Sequence, residues 1–276
     1  MRSFLLLALA GEQAVDRALR YELMRTLRAI DADRYVELLV SYGGNGDLAY
    51  AVRATALGEL ADVGDTRAAD MLVSLANAID ADSSADERTH TLRLHVTQRL
   101  ADLHDTRAFG LFTALAGDVS AGASIRLRAA RELHAASHPS SADVFAALAE
   151  DPRLEELARV SAARVLADAE PDGSPHLSMI LVNLVTEPDM GETAREEAFR
   201  LLDEYVETVT ASSGQAGSSP EAGHVFRLLT EMADSEGHSR RGRVLAAAIM
   251  QALQTLRSQS LSHSDTGPSV NLFHPG

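Results

Sequence analysis

The sequence predicts an all-α fold, an α-solenoid in which about six to seven antiparallel helix pairs stack into a superhelix. Three observations carry the prediction. Arginine returns in one local setting at Arg20, Arg53, Arg93, Arg126, Arg159, Arg195 and Arg243, each time opening a run of Ala- and Leu-rich residues. The steps between these arginines are 33, 40, 33, 33, 36 and 48 residues, which makes a 33-residue unit with insertions of variable length. Within a unit the apolar residues recur at i, i+3 and i+4, the signature of a helix with one buried face.

The elements follow in order. Residues 1–10, Met-Arg-Ser-Phe-Leu-Leu-Leu-Ala-Leu-Ala, have the outline of a short signal peptide, yet Leu6 to Ala10 lies two units before Leu72 to Ala76, so the repeat register reads it as a helix. That first element is half a unit, and its Phe4, Leu5, Leu7 and Leu9 lack a preceding helix; it is either an atypical cap or the continuation of a longer chain. Arg20 to Leu27 then precedes Val36 and Leu39. Arg53 to Ala61 places Ala56, Leu57 and Leu60 on one face. Gly64 can take the left-handed conformation that ends a helix, and Asp65 or Thr66 can cap the next, whose face is Ala68, Met71, Leu72, Leu75 and Ala76.

Arg93 to Ala101 repeats this almost word for word, leading through His104, Asp105 and Thr106 to Phe109, Phe112, Leu115 and Ala116; the extra length is assigned to the linker between Asp80 and Glu87. Arg126 to Leu133 precedes Val144, Phe145 and Leu148. Arg159 to Leu166 precedes Ile180, Leu181 and Leu184, and Arg195 to Leu202 precedes Phe226, Leu229 and Met232. Arg243 to Met250 is a first helix without a second. One such pair cannot bury its apolar face alone, so neighbours must stack, in a superhelix of either hand. The reading is a single repeat domain over 1–257 with a flexible Gly/Ser-rich insertion at 211–223, followed by a disordered tail over 258–276. The tail ends in an apolar stretch, Val270 to Pro275, with the composition of a docking peptide.

Composition removes whole classes of chemistry. The 276-residue chain carries 40 acidic and 25 basic residues, a formal charge of -15 that repels phosphate backbones and excludes non-specific nucleic-acid binding. All 25 basic residues are Arg, as in a GC-rich bacterial coding sequence, so Lys Schiff bases and the Lys-dependent phosphate loop are absent. With no Cys there is no disulfide, thiolate nucleophile or Cys-held metal, in keeping with a cytoplasmic location. No apolar run reaches membrane-spanning length.

The stretch from Arg53 to Ala68, Arg-Ala-Thr-Ala-Leu-Gly-Glu-Leu-Ala-Asp-Val-Gly-Asp-Thr-Arg-Ala, resembles a HEAT repeat of the short bacterial kind, similar to phycobilin-lyase HEAT-like units, and the similarity runs from about residue 4 to about 256. The resemblance implies a HEAT/armadillo-like right-handed α-solenoid whose second helices line the concave side. It also implies a protein-binding role, with a minority of relatives acting as lyases or DNA glycosylases through aromatic, basic or acidic pocket residues that have no counterpart here.

The seven arginines are read as a structural ladder, each pairing with acidic or carbonyl groups of a neighbouring turn such as Asp47, Asp86, Asp118, Asp151 and Asp189. His134 and His138 have the i, i+4 spacing of a helical metal pair, but Pro139 follows and no third ligand accompanies them. No catalytic residue, cofactor site or metal site is assigned. Outward positions of the second helices, by register, are Asp70, Ser74 and Asn77, then Thr113, Asp143 and Glu150, then Asn183, then Glu231 and Asp234. This small-sided, acidic face suits a protein or a basic peptide. The expected function is a non-enzymatic scaffold or adaptor. The alternatives are a sensor segment of a larger signalling NTPase and, last, a HEAT-like enzyme. Nothing in the pattern sets an oligomeric state.

Overall fold

A computed structural model describes residues 26–82, 84–170, 174–212, 220–234 and, apart from 245 and 252, 243–254. Arg20, the first element, the segment 213–219 of the insertion and the tail lie outside the described residues. Among the described residues every regular element is a helix: α1 Ala32–Gly44, α2 Tyr50–Asp62, α3 Arg67–Asp80, α4 Glu87–Asp102, α5 Arg107–Gly117, α6 Ala123–Ala135, α7 Ser141–Glu150, α8 Glu156–Ala169, α9 Pro175–Thr186, α10 Glu192–Ser212 and α11 Pro220–Asp234.

The contacts group the chain into two compact units, Met1–Val144 and Phe145–Gly276. In the first, each helix from α1 to α6 packs against the next and the next but one, which puts α1, α3 and α5 in one layer and α2, α4 and α6 in another. The core between them is Leu57, Leu60, Leu72, Leu75, Leu94, Leu100, Phe112, Leu115 and Leu133, all buried. In the second unit α8 packs on α9 and α10, α9 on α10 and α11, and α10 on α11, around Val160, Leu166, Leu181, Leu184 and Leu202.

Three corners turn the chain inside a helix pair with one geometry. Gly64, His104 and Ser137 hold positive φ, at 78°, 58° and 52°. The two N–H groups at each corner bond back to the ending helix, Asp65 to the Leu60 carbonyl, Asp105 to Leu100 and His138 to Leu133. That is the left-handed C-terminal cap, for which glycine is the natural residue. His104 therefore stands, exposed, in a conformation that penalises its Cβ. His104→Gly is expected to stabilise the protein by about 0.5–1 kcal/mol, and Gly64→Ala to destabilise it by about the same amount, in urea unfolding midpoints.

Four connections between helix pairs, residues 45–49, 118–122, 151–155 and 187–191, share a five-residue design. In each, the fourth residue, Leu48, Ala121, Leu154 or Met190, returns its N–H to the carbonyl of the first. Asn45, Asp118 and Asp151 add a side-chain bond to the N–H two residues on, at 2.9–3.0 Å, which closes the turn locally. The longer step from Arg53 to Arg93 arises mainly in helix rather than in the linker: α3 has 14 residues against 11 in α5, and α4 has 16 against 13 in α2. At the two ends of the expected insertion, 211–223, the described residues are helical. Helix α10 continues to Ser212 and α11 starts at Pro220, where a proline's missing N–H costs nothing.

Candidate functional site

Arg53, Arg93, Arg126, Arg159 and Arg195 do not open their helices. Arg53, Arg126, Arg159 and Arg195 occupy the fourth position of α2, α6, α8 and α10, one turn in, where the side chain faces the end of the helix before. Arg53, Arg126 and Arg159 each donate from Nε to a carbonyl ten residues back, on Gly43, Ala116 and Ala149, at 3.1, 2.8 and 3.1 Å. Those carbonyls belong to the penultimate residues of α1, α5 and α7, among the four that a helix leaves without an internal partner. A guanidinium there also meets the negative end of the helix dipole. The burial of Arg53, Arg126 and Arg159, each under 10% exposed, is thereby compensated.

Arg93 and Arg195 differ because their surroundings do. Arg93, 1% exposed, has the longer α4 in front of it and pairs with two carboxylates, Asp80 and Asp118, the latter at 3.2 Å. Arg159 adds a pair with Glu187 at 2.8 Å, and Arg195 instead folds over its own linker, donating to the carbonyls of Glu187, Pro188 and Met190. Of the acids expected to support the ladder, Asp118 does so. Asp86 caps α4 through the Thr89 N–H and hydroxyl, and Asp47, which donates its own N–H to Asn45, and Asp189 are exposed linker residues. The supporting acids escaped the reading for different reasons: Asp80 is the last residue of α3, whereas Glu187 opens its linker at the place that Asp118 and Asp151 hold in theirs, where the reading chose Asp189 instead.

Burial works against the charge of Asp118, but hydrogen bonds from the Ser120 hydroxyl and N–H, with His90 and Arg93 nearby, hold its carboxyl below the usual range. Asp203 on α10 is the opposite case: burial first, then the charges of Glu207 and Glu204, push its carboxyl up. A raised folded value means the ionised form is disfavoured by folding, so its penalty is present at neutral pH and disappears as pH falls below the unfolded value. Asp203→Asn is therefore expected to raise the melting temperature at pH 7 and to leave it unchanged near pH 3.

His134 and His138 do not form a helical pair. Ser137, in the left-handed conformation, separates them, and His138 lies beyond the end of α6 with Nδ1 accepting from the Ser140 N–H while its ring stands 4.8 Å from that of Phe109. It occupies the place of Asp65 and Asp105. Among the described residues no group of three or more His, Cys, Asp or Glu is placed to hold a metal ion, and no helix is long and apolar enough to cross a membrane. The described residues include a shallow groove of about 300 Å³ between α2 and α4 beside Gly58, His95 and Arg99, and one of about 450 Å³ between the first turns of α8 and α10 beside Glu156, Leu157 and Glu192.

All nine residues expected to face outward from the second helices are exposed. In the first unit Asp70, Ser74, Asn77 and Thr113 stand on α3 and α5, with Asp143 at the start of α7; in the second, Asn183 is on α9 and Glu231 and Asp234 are on α11. Glu150 ends α7 and meets His176 at 3.1 Å. The same layer of the first unit carries a row of ion pairs that the periodicity did not announce. Arg67, the first residue of α3, bonds Asp65 at 2.8 Å and Glu37 of α1 at 3.0 Å. Arg107, the first of α5, bonds Asp105 at 2.6 Å and Asp70 of α3 at 2.8 Å. The signal was the Asp-Thr-Arg triplet at both corners. Side-chain hydrogen bonds from Arg67 and Arg107, then their N–H groups, hold the Asp65 and Asp105 carboxyls below the usual range.

No protein-family model matches the chain, and neither a curated protein nor a solved structure is detectably similar to it.

Proposed function

We propose that the protein is a non-enzymatic scaffold: a right-handed, HEAT-like α-solenoid, acting in the cytoplasm, that offers the face made by its second helices to a basic peptide or a basic segment of a partner protein. The observation that carries this reading is the exposure of the nine residues on second helices, five of them carboxylates. Repeat proteins generally bind extended guests along the exposed side of one helix layer. The chain's charge of -15 selects a cationic guest and accelerates its approach at low salt.

Binding of a fluorescently labelled Arg-rich peptide, followed by anisotropy, tests the proposal. Charge reversal at Asp143 and Glu150 is expected to weaken binding about tenfold or more at low salt. Undiminished binding by the doubly reversed protein would remove this face from consideration.

A further inference from the structure

We propose that Asn45–Gly46 is a self-modifying site, at which the asparagine amide is lost spontaneously and the first of the four five-residue linkers gains the carboxylate that the others carry from synthesis. Each of the other three opens on an acid in the same place, Asp118, Asp151 or Glu187, and of the four only this one opens on an amide. The following residue differs too. Asp118 precedes Val119, Asp151 precedes Pro152 and Glu187 precedes Pro188, whereas Asn45 precedes a glycine. A proline has no N–H to supply a nucleophile, and the β-branch of a valine crowds the approach. Glycine removes both obstacles.

The step is an intramolecular acyl transfer. The Gly46 main-chain nitrogen gives up its proton to solvent, attacks Cγ of Asn45 and forms a C–N bond, while the Cγ–Nδ2 bond breaks and the amide nitrogen takes a proton and leaves as ammonia. Water then opens the five-membered imide, at Cγ to give aspartate or at the main-chain carbonyl to give isoaspartate. Ring closure requires the Asn45 Cα–C bond to turn from its ψ of 107°. The linker permits that turn. Asn45, Gly46 and Asp47 are exposed, and beyond the chain neighbours no atom lies within 4 Å of where a Gly46 Cβ would stand. The turn is held by the Asp47 N–H on Oδ1 at 2.9 Å and the Leu48 N–H on the Asn45 carbonyl at 3.2 Å, bonds that water replaces when the linker opens locally. Asn77 of α3 and Asn183 of α9 are also exposed, but the same rotation there would break a helix.

For the test, the full chain is kept folded in mildly alkaline buffer for days and then cleaved after arginine, which places Asn45, Asn77 and Asn183 on separate peptides, 35–53, 68–88 and 165–195. Peptide 35–53 should gain the mass of NH exchanged for O and split into two species, one of them co-eluting with the same peptide from Asn45→Asp, while the other two peptides stay unchanged. Gly46→Ala, whose new methyl meets no neighbour, should slow the conversion about tenfold or more. Asn45→Gln, which would have to close a larger ring, should hold the peptide unchanged over the same time. An unconverted peptide 35–53, equal conversion of all three asparagines, a product without isoaspartate, or an undiminished rate in either variant overturns the inference.

Discussion

Asp118→Ala is expected to cost about 3–5 kcal/mol in stability, because it removes one of the two carboxylates that neutralise a fully buried guanidinium. Arg93 is 1% exposed, and its remaining partner, Asp80, is half in solvent at 52%. The same substitution opens the turn that Asp118 closes on the Ser120 N–H at 2.9 Å. Asp118→Asn keeps an oxygen for that turn and removes only the charge, so it should fall between wild type and Ala. Denaturant unfolding of the three proteins separates the two contributions. The effect has a definite pH dependence. A carboxylate held below its ordinary range stabilises the fold fully above the unfolded value near 3.9, and the benefit is lost as pH falls through the folded value. The gap between wild type and Asp118→Ala should accordingly be constant from pH 5 to 8 and narrow in strong acid to the contribution of the turn. A gap undiminished at pH 2 would assign the cost to the turn alone.

Leu133→Ala is expected to cost about 2–5 kcal/mol, through lost burial and the cavity left behind. Leu133 is fully buried in α6, the helix that closes against α5 and α4, and Leu60 holds the matching place in α2. Among the described residues of the first unit, the main helix contacts are with neighbours one and two steps along the chain. A defect should therefore spread only that far. Amide exchange in Leu133→Ala should quicken most in α4, α5 and α6 and least in α1. Uniform acceleration across the first unit would show instead that it opens as one cooperative block.

Much of the helical order was legible in the sequence because it depends on two local signals. Leu57 and Leu60, or Leu94 and Leu100, recur at helical spacing, and a face so marked has to be buried. Gly64 announced a left-handed corner, and its substitution by His104 in the next unit was readable from alignment alone. The arginine recurrence was legible in the same way, but its chemistry was not. The acceptors of Arg53, Arg126 and Arg159 are backbone carbonyls, which every residue possesses, so no letter at Gly43, Ala116 or Ala149 identifies them. The outward row at Asp70, Ser74 and Asn77 followed from period too, whereas the pairing of Asp70 with Arg107 joins residues 37 apart.

The sequence by itself determined that the chain is helical, that its helices repeat, which of their faces are apolar and which outward positions stay in water. These are consequences of periodicity, and periodicity is written along one dimension. Only the tertiary structure decided which helix end each arginine satisfies, that Asp80 and Glu187 rather than Asp86 and Asp189 support the ladder, and that part of the acidic face is already matched by Arg67 and Arg107. Such choices depend on where a helix stops and on which neighbour lies within 3 Å. The interactions between residues near in sequence set the elements, while the partner of each buried charge is settled by the layer packed against it.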